Sequence, residues 1–65
     1  MQIGDENQRY EVTVFDKNQE QRIIIGWTDD KDHSLTMCNG AEKRPGWENA
    51  EVMDRHTGKL LTAPY

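Results

Sequence analysis

His33, Cys38 and His56, with the acidic run Thr28-Asp29-Asp30-Lys31-Asp32, carry the side chains of this 65-residue chain that could do chemistry. A cysteine near a histidine is the raw material of a thiol nucleophile and its base, or of two metal ligands. His33 and Cys38 lie five positions apart, which on a helix separates them by about 140°, whereas paired helical ligands sit at i, i+3 or i, i+4. Nucleophilic catalysis also needs the base within hydrogen-bond reach, a third group to orient it and a pocket that excludes water. A small sheet with one helix has little room for such a pocket. The reading is therefore that the chain has no catalytic residue, no metal site, no cofactor and no small-molecule substrate. Cys38 is expected to pack as a small hydrophobe, and His33 to be exposed in a first helical turn.

The aspartates resemble a calcium loop in composition alone. An EF-hand loop needs ligands at alternating positions, a central glycine and a terminal glutamate, and here Lys31 intervenes with no glutamate where one is required. Side-chain oxygens that cap helix amides explain the run more simply, since negative charge complements the positive end of the helix dipole. Asp29, Asp30 and Asp32 would still form an acidic surface able to meet a basic partner.

Twelve acidic against eight basic residues give a net charge of -4 and a pI near 4.9. That balance opposes binding to phosphate backbones or anionic lipid, which rely on a cationic field. Lys43-Arg44 is the one adjacent basic pair, and without a basic stripe or an aromatic pair direct nucleic-acid binding is disfavoured. Cys38 is the lone cysteine, so an intramolecular disulfide is impossible. The start of the chain is polar and acidic, without the apolar segment of a secretory signal, and no stretch approaches the roughly 20 apolar residues of a membrane span. A cytoplasmic protein with no membrane association is expected.

The elements that must position these residues follow from periodicity. Residues 1–8 read as a flexible N-terminal tail, 9–62 as a single α+β domain and 63–65 as a frayed C-terminus. Tyr10, Val12 and Val14 alternate with Glu11, Thr13 and Phe15 as in a half-buried strand. Asp16 to Glu20 make a turn, with Asn18 the residue expected to take a left-handed conformation. A second strand spans about Gln21 to Thr28. A helix starts near Asp29 to Asp32, places Leu35, Met37, Cys38 and Ala41 on one arc, continues past Gly40 and stops at Pro45-Gly46. Residues 50–55 alternate again, and Lys59 to Thr62 offer a short fourth strand after His56-Thr57-Gly58.

The order β-β-α-β(-β) predicts a small α+β domain: a three- to four-stranded antiparallel sheet with one helix packed on one face. Docking the third strand beside the first gives the spatial order 2-1-3, with the isoleucine strand on an edge. Alternation along Ile23-Ile24-Ile25-Gly26-Trp27 sends Ile23, Ile25 and Trp27 toward the helix and Ile24 away from it. The expected core is Tyr10, Val12, Val14, Ile23, Ile25, Trp27, Leu35, Cys38, Ala41, Trp47 and Val52.

Sixty-five residues with 34% hydrophobic content make a thin core, so packing against a second subunit would help stability. The uncovered face should carry Thr13, Phe15, Ile24 and Met53, with Leu60 or Leu61 joining if the last strand forms. A contiguous apolar patch of that kind marks an interface. Phe15, Ile24 and Met53, with Trp47 in the Pro-Gly loop, are the expected partner-binding residues. The function expected is non-enzymatic protein binding, in its simplest form a homodimer through the bare face or the edge strand. The alternative is a small acidic accessory or inhibitory protein of the phage or mobile-element type, docked on a nucleic-acid-handling complex.

Overall fold

A computed structural model describes residues 4–61; the expected frayed end at 63–65 lies outside them. The elements are β1 (Tyr10–Asp16), β2 (Gln21–Thr28), α1 (Lys31–Glu42), β3 (Trp47–Asp54) and β4 (Lys59–Leu60). They form one four-stranded antiparallel sheet in the order β2-β1-β3-β4, with the helix packed against it. This is the small α+β domain expected, with β4 formed and the isoleucine strand at an edge.

The β1–β2 turn is built by Asp16, whose carboxylate accepts the amides of Asn18 at 2.8 Å and Gln19 at 3.3 Å. That Asx turn keeps Asn18 out of the left-handed region, and Glu20 adopts it instead, at φ 53°. Asp30 is the N-cap of α1, accepting from Asp32 N at 2.9 Å and His33 N at 3.3 Å. Its own amide donates to Thr28 Oγ1 at 3.1 Å, so strand end and helix start are joined through side chains. The helix runs through Gly40 to Glu42. Gly40 faces open space, with nothing within 4 Å of where a Cβ would stand, so it does not serve the close helix–sheet approach that a helical glycine suggests. The stop comes from Lys43 at the C-cap and Gly46 at φ 88°.

The core lies between α1 and one face of the sheet. Val12, Val14 and Val52 are fully buried there with Tyr10, Cys38, Ala41 and Ala50. Ile23, Ile25, Leu35, Met37, Trp47 and Leu61 pack around them, half-buried. Ser34 is also buried, at the start of the helical stripe Ser34, Cys38, Ala41. Its hydroxyl donates to Lys31 O at 2.6 Å, which lets a polar side chain sit against the sheet.

Trp27 departs from expectation. The register of β1 on β2 slips between Val12 and Thr13, so that Val12 faces Gly26 while Thr13 faces Ile24. Ile25 is the extra residue of a β-bulge, and one inserted residue reverses the parity of everything beyond it. Ile23 and Ile25 therefore reach the core, whereas Trp27 is paired with Glu11 on the opposite side. A second bulge in β3 leaves Asn49 at φ 51° beside Val14.

Candidate functional site

With α1 on one side, the other face of the sheet has no helix over it. Its residues follow from the register. Glu11, Thr13 and Phe15 come from β1, Arg22, Ile24 and Trp27 from β2, Glu48, Glu51 and Met53 from β3, and Leu60 from β4. Three large apolar side chains stand exposed among the described residues: Ile24 at 36%, Met53 at 37% and Leu60 at 47%. Phe15 is half-buried beside them. Of the two leucines at the end of the chain, Leu61 turns to the core instead, its amide donating to Val52 O at 2.8 Å.

The apolar residues do not form an unbroken patch. Arg22 reaches from the edge strand across β1, its Nη1 within 3.2 Å of Thr13 Oγ1, 2.8 Å of Asn49 O and 3.1 Å of Glu51 Oε1. The guanidinium thus occupies the carbonyl that the β3 bulge turns outward, and it divides the face into a Phe15 end and an end made by Met53 and Leu60. Lys17 and Glu48 form a looser exposed pair at 3.9 Å.

Phe15, Ile24 and Met53 are thus brought to one face, and Trp47 is not. Trp47 pairs with Asp16 at the far end of β3, half-buried against the core, with the Arg44 guanidinium 4.6 Å from its ring centroid. The aspartates have local partners. Asp30 caps the helix; Asp29 accepts Arg9 N at 2.9 Å and Gln8 Nε2 at 3.5 Å; Asp32 lies in the first helical turn. Gln8 N donates to Asp5 O at 2.9 Å, so residues 5–8 form a turn where a loose tail was expected over 1–8; residues 1–3 lie outside those described.

Cys38 and His33 are separated by the helix geometry. Cys38 is buried against the sheet, while His33 is exposed with its Nδ1 3.3 Å from Thr28 Oγ1. Burial first, and the negative fields of Glu42 and Glu51 after it, push the Cys38 thiol above its ordinary range, which keeps it protonated and unreactive. Among the described residues no group of three or more His, Cys, Asp or Glu side chains is placed to hold a metal ion, and no helix is long and apolar enough to cross a membrane.

Two further residues gave no sign in the sequence of what they do. Arg9 forks onto Asp54, Nε to Oδ1 at 2.9 Å and Nη2 to Oδ2 at 2.8 Å, and Asp54 also accepts the His56 amide at 3.0 Å. The Arg9 bond above all, with the His56 amide, holds the Asp54 carboxyl down at about 2 against the desolvation that would raise it. The pair ties the start of β1 to the end of β3. Comparison with protein-family models, with curated proteins and with solved structures finds no match for this chain.

Proposed function

We propose that this domain is a non-enzymatic protein-binding module that pairs with a second copy of itself through the sheet face not covered by α1. The observation that carries the reading is the exposure of Ile24, Met53 and Leu60 on that one face. Charge supports a second copy as the occupant. Arg22 lies on β2, at one side of the face, and Glu48 and Glu51 lie on β3, toward the other. A two-fold axis along β1 sets β2 of one copy over β3 of the other, so that Arg22, already paired with Glu51 of its own chain, lies beside the carboxylates of its mate without a like-charge clash.

Size makes the association weak. A sheet of this width and strand length offers about 400 Å² per copy, roughly 800 Å² in total, below the about 1,200 Å² of a stable specific interface. The outer edge of β2 is the less favoured route, because the bulge at Ile25 bends the strand that a neighbour would have to follow. The acidic accessory or inhibitor reading has less support, since Asp29 and Asp30 already serve the fold. A reducing cytoplasm suits a chain whose lone thiol is buried.

Sedimentation equilibrium over a wide concentration range tests this reading, with Ile24→Glu beside the parent chain and circular dichroism to verify folding. The parent should show a weak monomer–dimer equilibrium that persists at high salt, and Ile24→Glu should remain monomeric. A parent that is monomeric throughout overturns the reading.

A further inference from the structure

Asn39 is the one asparagine of four in this chain that is followed by glycine. That pair is chemically labile. The backbone nitrogen of the glycine can attack the side-chain carbonyl carbon of the asparagine, since glycine brings no side chain to block the approach, and asparagine is for this reason among the thermolabile residues. In α1 both residues are exposed, and nothing stands within 4 Å of where a Gly40 Cβ would be, so the rest of the fold raises no steric obstacle.

The helix itself opposes the reaction. A formed turn engages the Gly40 N–H in the helix ladder and tilts the Asn39 side chain toward the helix N-terminus, away from the amide that follows it. Reaction therefore waits on opening of the last turn, and that turn is weakly held. It consists of Asn39, Gly40, Ala41 and Glu42, of which asparagine and glycine are poor helix formers. Glu42 sets a negative charge at the negative end of the helix dipole, with no basic residue in the turn. Only Ala41 of the four is buried, so little apolar surface holds the turn on the sheet. Just past it the backbone bonds contract to a three-residue spacing, Lys43 N to Gly40 O at 3.3 Å and Arg44 N to Ala41 O at 3.1 Å. The first turn, by contrast, is fastened by the Asp30 cap.

We propose that Asn39 is a site of spontaneous deamidation, reached from the folded protein through opening of the last turn of α1. The Gly40 nitrogen gives up its proton and bonds to Asn39 Cγ, the Cγ–Nδ2 bond breaks, and ammonia leaves with the proton, closing a cyclic imide. Water then opens the ring. Addition at Cγ gives aspartate, whereas addition at the main-chain carbonyl of residue 39 gives isoaspartate, with the chain routed through Cβ and Cγ. Either product adds a negative charge three residues before Glu42, where like charges repel on a helix and the dipole disfavours both. Isoaspartate also lengthens the main chain by a methylene, so the helix ladder ends a turn early.

The test incubates the full chain at mildly alkaline pH, folded and in urea, and follows isoaspartate at position 39 by peptide mapping, with Asn7, Asn18 and Asn49 as slow-reacting references. Local opening predicts conversion in the folded protein at roughly a tenth of the rate in urea. Passage through global unfolding predicts a rate lower by a factor on the order of a thousand or more. Glu11→Ala, which lowers global stability, should leave the folded rate unchanged. Glu42→Gln, which relieves the charge at the helix end, should slow the folded rate by roughly two- to fivefold and leave the rate in urea as it was. A folded protein in which Asn39 stays intact, or converts no faster than global unfolding allows, overturns the proposal. So does a folded rate that rises with Glu11→Ala in step with the loss of stability, or one indifferent to Glu42→Gln. Should Glu11→Ala unfold the chain by circular dichroism, Glu42→Gln decides alone.

Discussion

The indole N–H of Trp27 donates to Glu11 Oε2 across the β1–β2 pair at 3.2 Å, on the side of the sheet away from the helix. The bond satisfies a donor that the side chain's burial would otherwise strand. Glu11→Ala should therefore destabilise the domain by about 1–2 kcal/mol, the cost of an unsatisfied buried polar group. Glu11→Gln, which keeps an acceptor, should lose less. Urea denaturation followed by far-ultraviolet circular dichroism measures both.

Gly40 and Glu20 each hold a position that suits another residue better. Gly40 sits in the helix with open space where a side chain would go, so Gly40→Ala should stabilise by about 1 kcal/mol through helix propensity alone. Glu20 is held at φ 53°, and Glu20→Gly should gain up to about 1 kcal/mol by relieving the left-handed strain. The sites are remote from each other, on the helix and in the hairpin turn, so the double variant should show additive gains in the urea midpoint.

The bulge at Ile25 marks where sequence reading stopped. The period of two in β1, the capping run before α1 and the Pro-Gly stop after it gave the sheet, the helix and the strand order, because each is a local preference written in adjacent residues. The side on which Trp27 sits depends on one inserted residue in β2. Gly26 was the signal, since a glycine inside a strand often marks a bulge. Strict alternation carried Trp27 to the wrong face. The reach of Arg22 to Asn49 O was not legible either, because that carbonyl is turned outward by a second bulge 27 residues away. The same limit hid the Arg9–Asp54 fork, whose partners are 45 residues apart.

Asp54 ties acid stability to that fork. Its carboxyl is held at about 2 in the folded protein, below the about 3.9 of an unfolded aspartate. The folded state therefore binds its proton less readily than the unfolded state. The contribution is complete above about pH 4 and is lost as pH falls toward about 2. Asp54→Asn should lower stability at neutral pH and flatten its decline between pH 4 and 2. Thermal melts of parent and variant across that range measure the difference.

Cys38 should behave as a probe of unfolding. Buried and with its thiol raised, it should react with a thiol reagent such as dithiobis(nitrobenzoic acid) orders of magnitude more slowly in the folded protein than in urea. The native rate should rise in destabilised variants such as Glu11→Ala, tracking their loss of stability. Rapid native labelling at neutral pH would contradict this burial.

The bare face is tested most directly by amide chemical shifts recorded as protein concentration is raised from micromolar to millimolar. Self-association through this surface predicts progressive shifts at Thr13, Phe15, Ile24, Met53 and Leu60, with α1 residues such as Thr36 and Asn39 unmoved. Spectra that do not change with concentration, or shifts centred on α1, would contradict it.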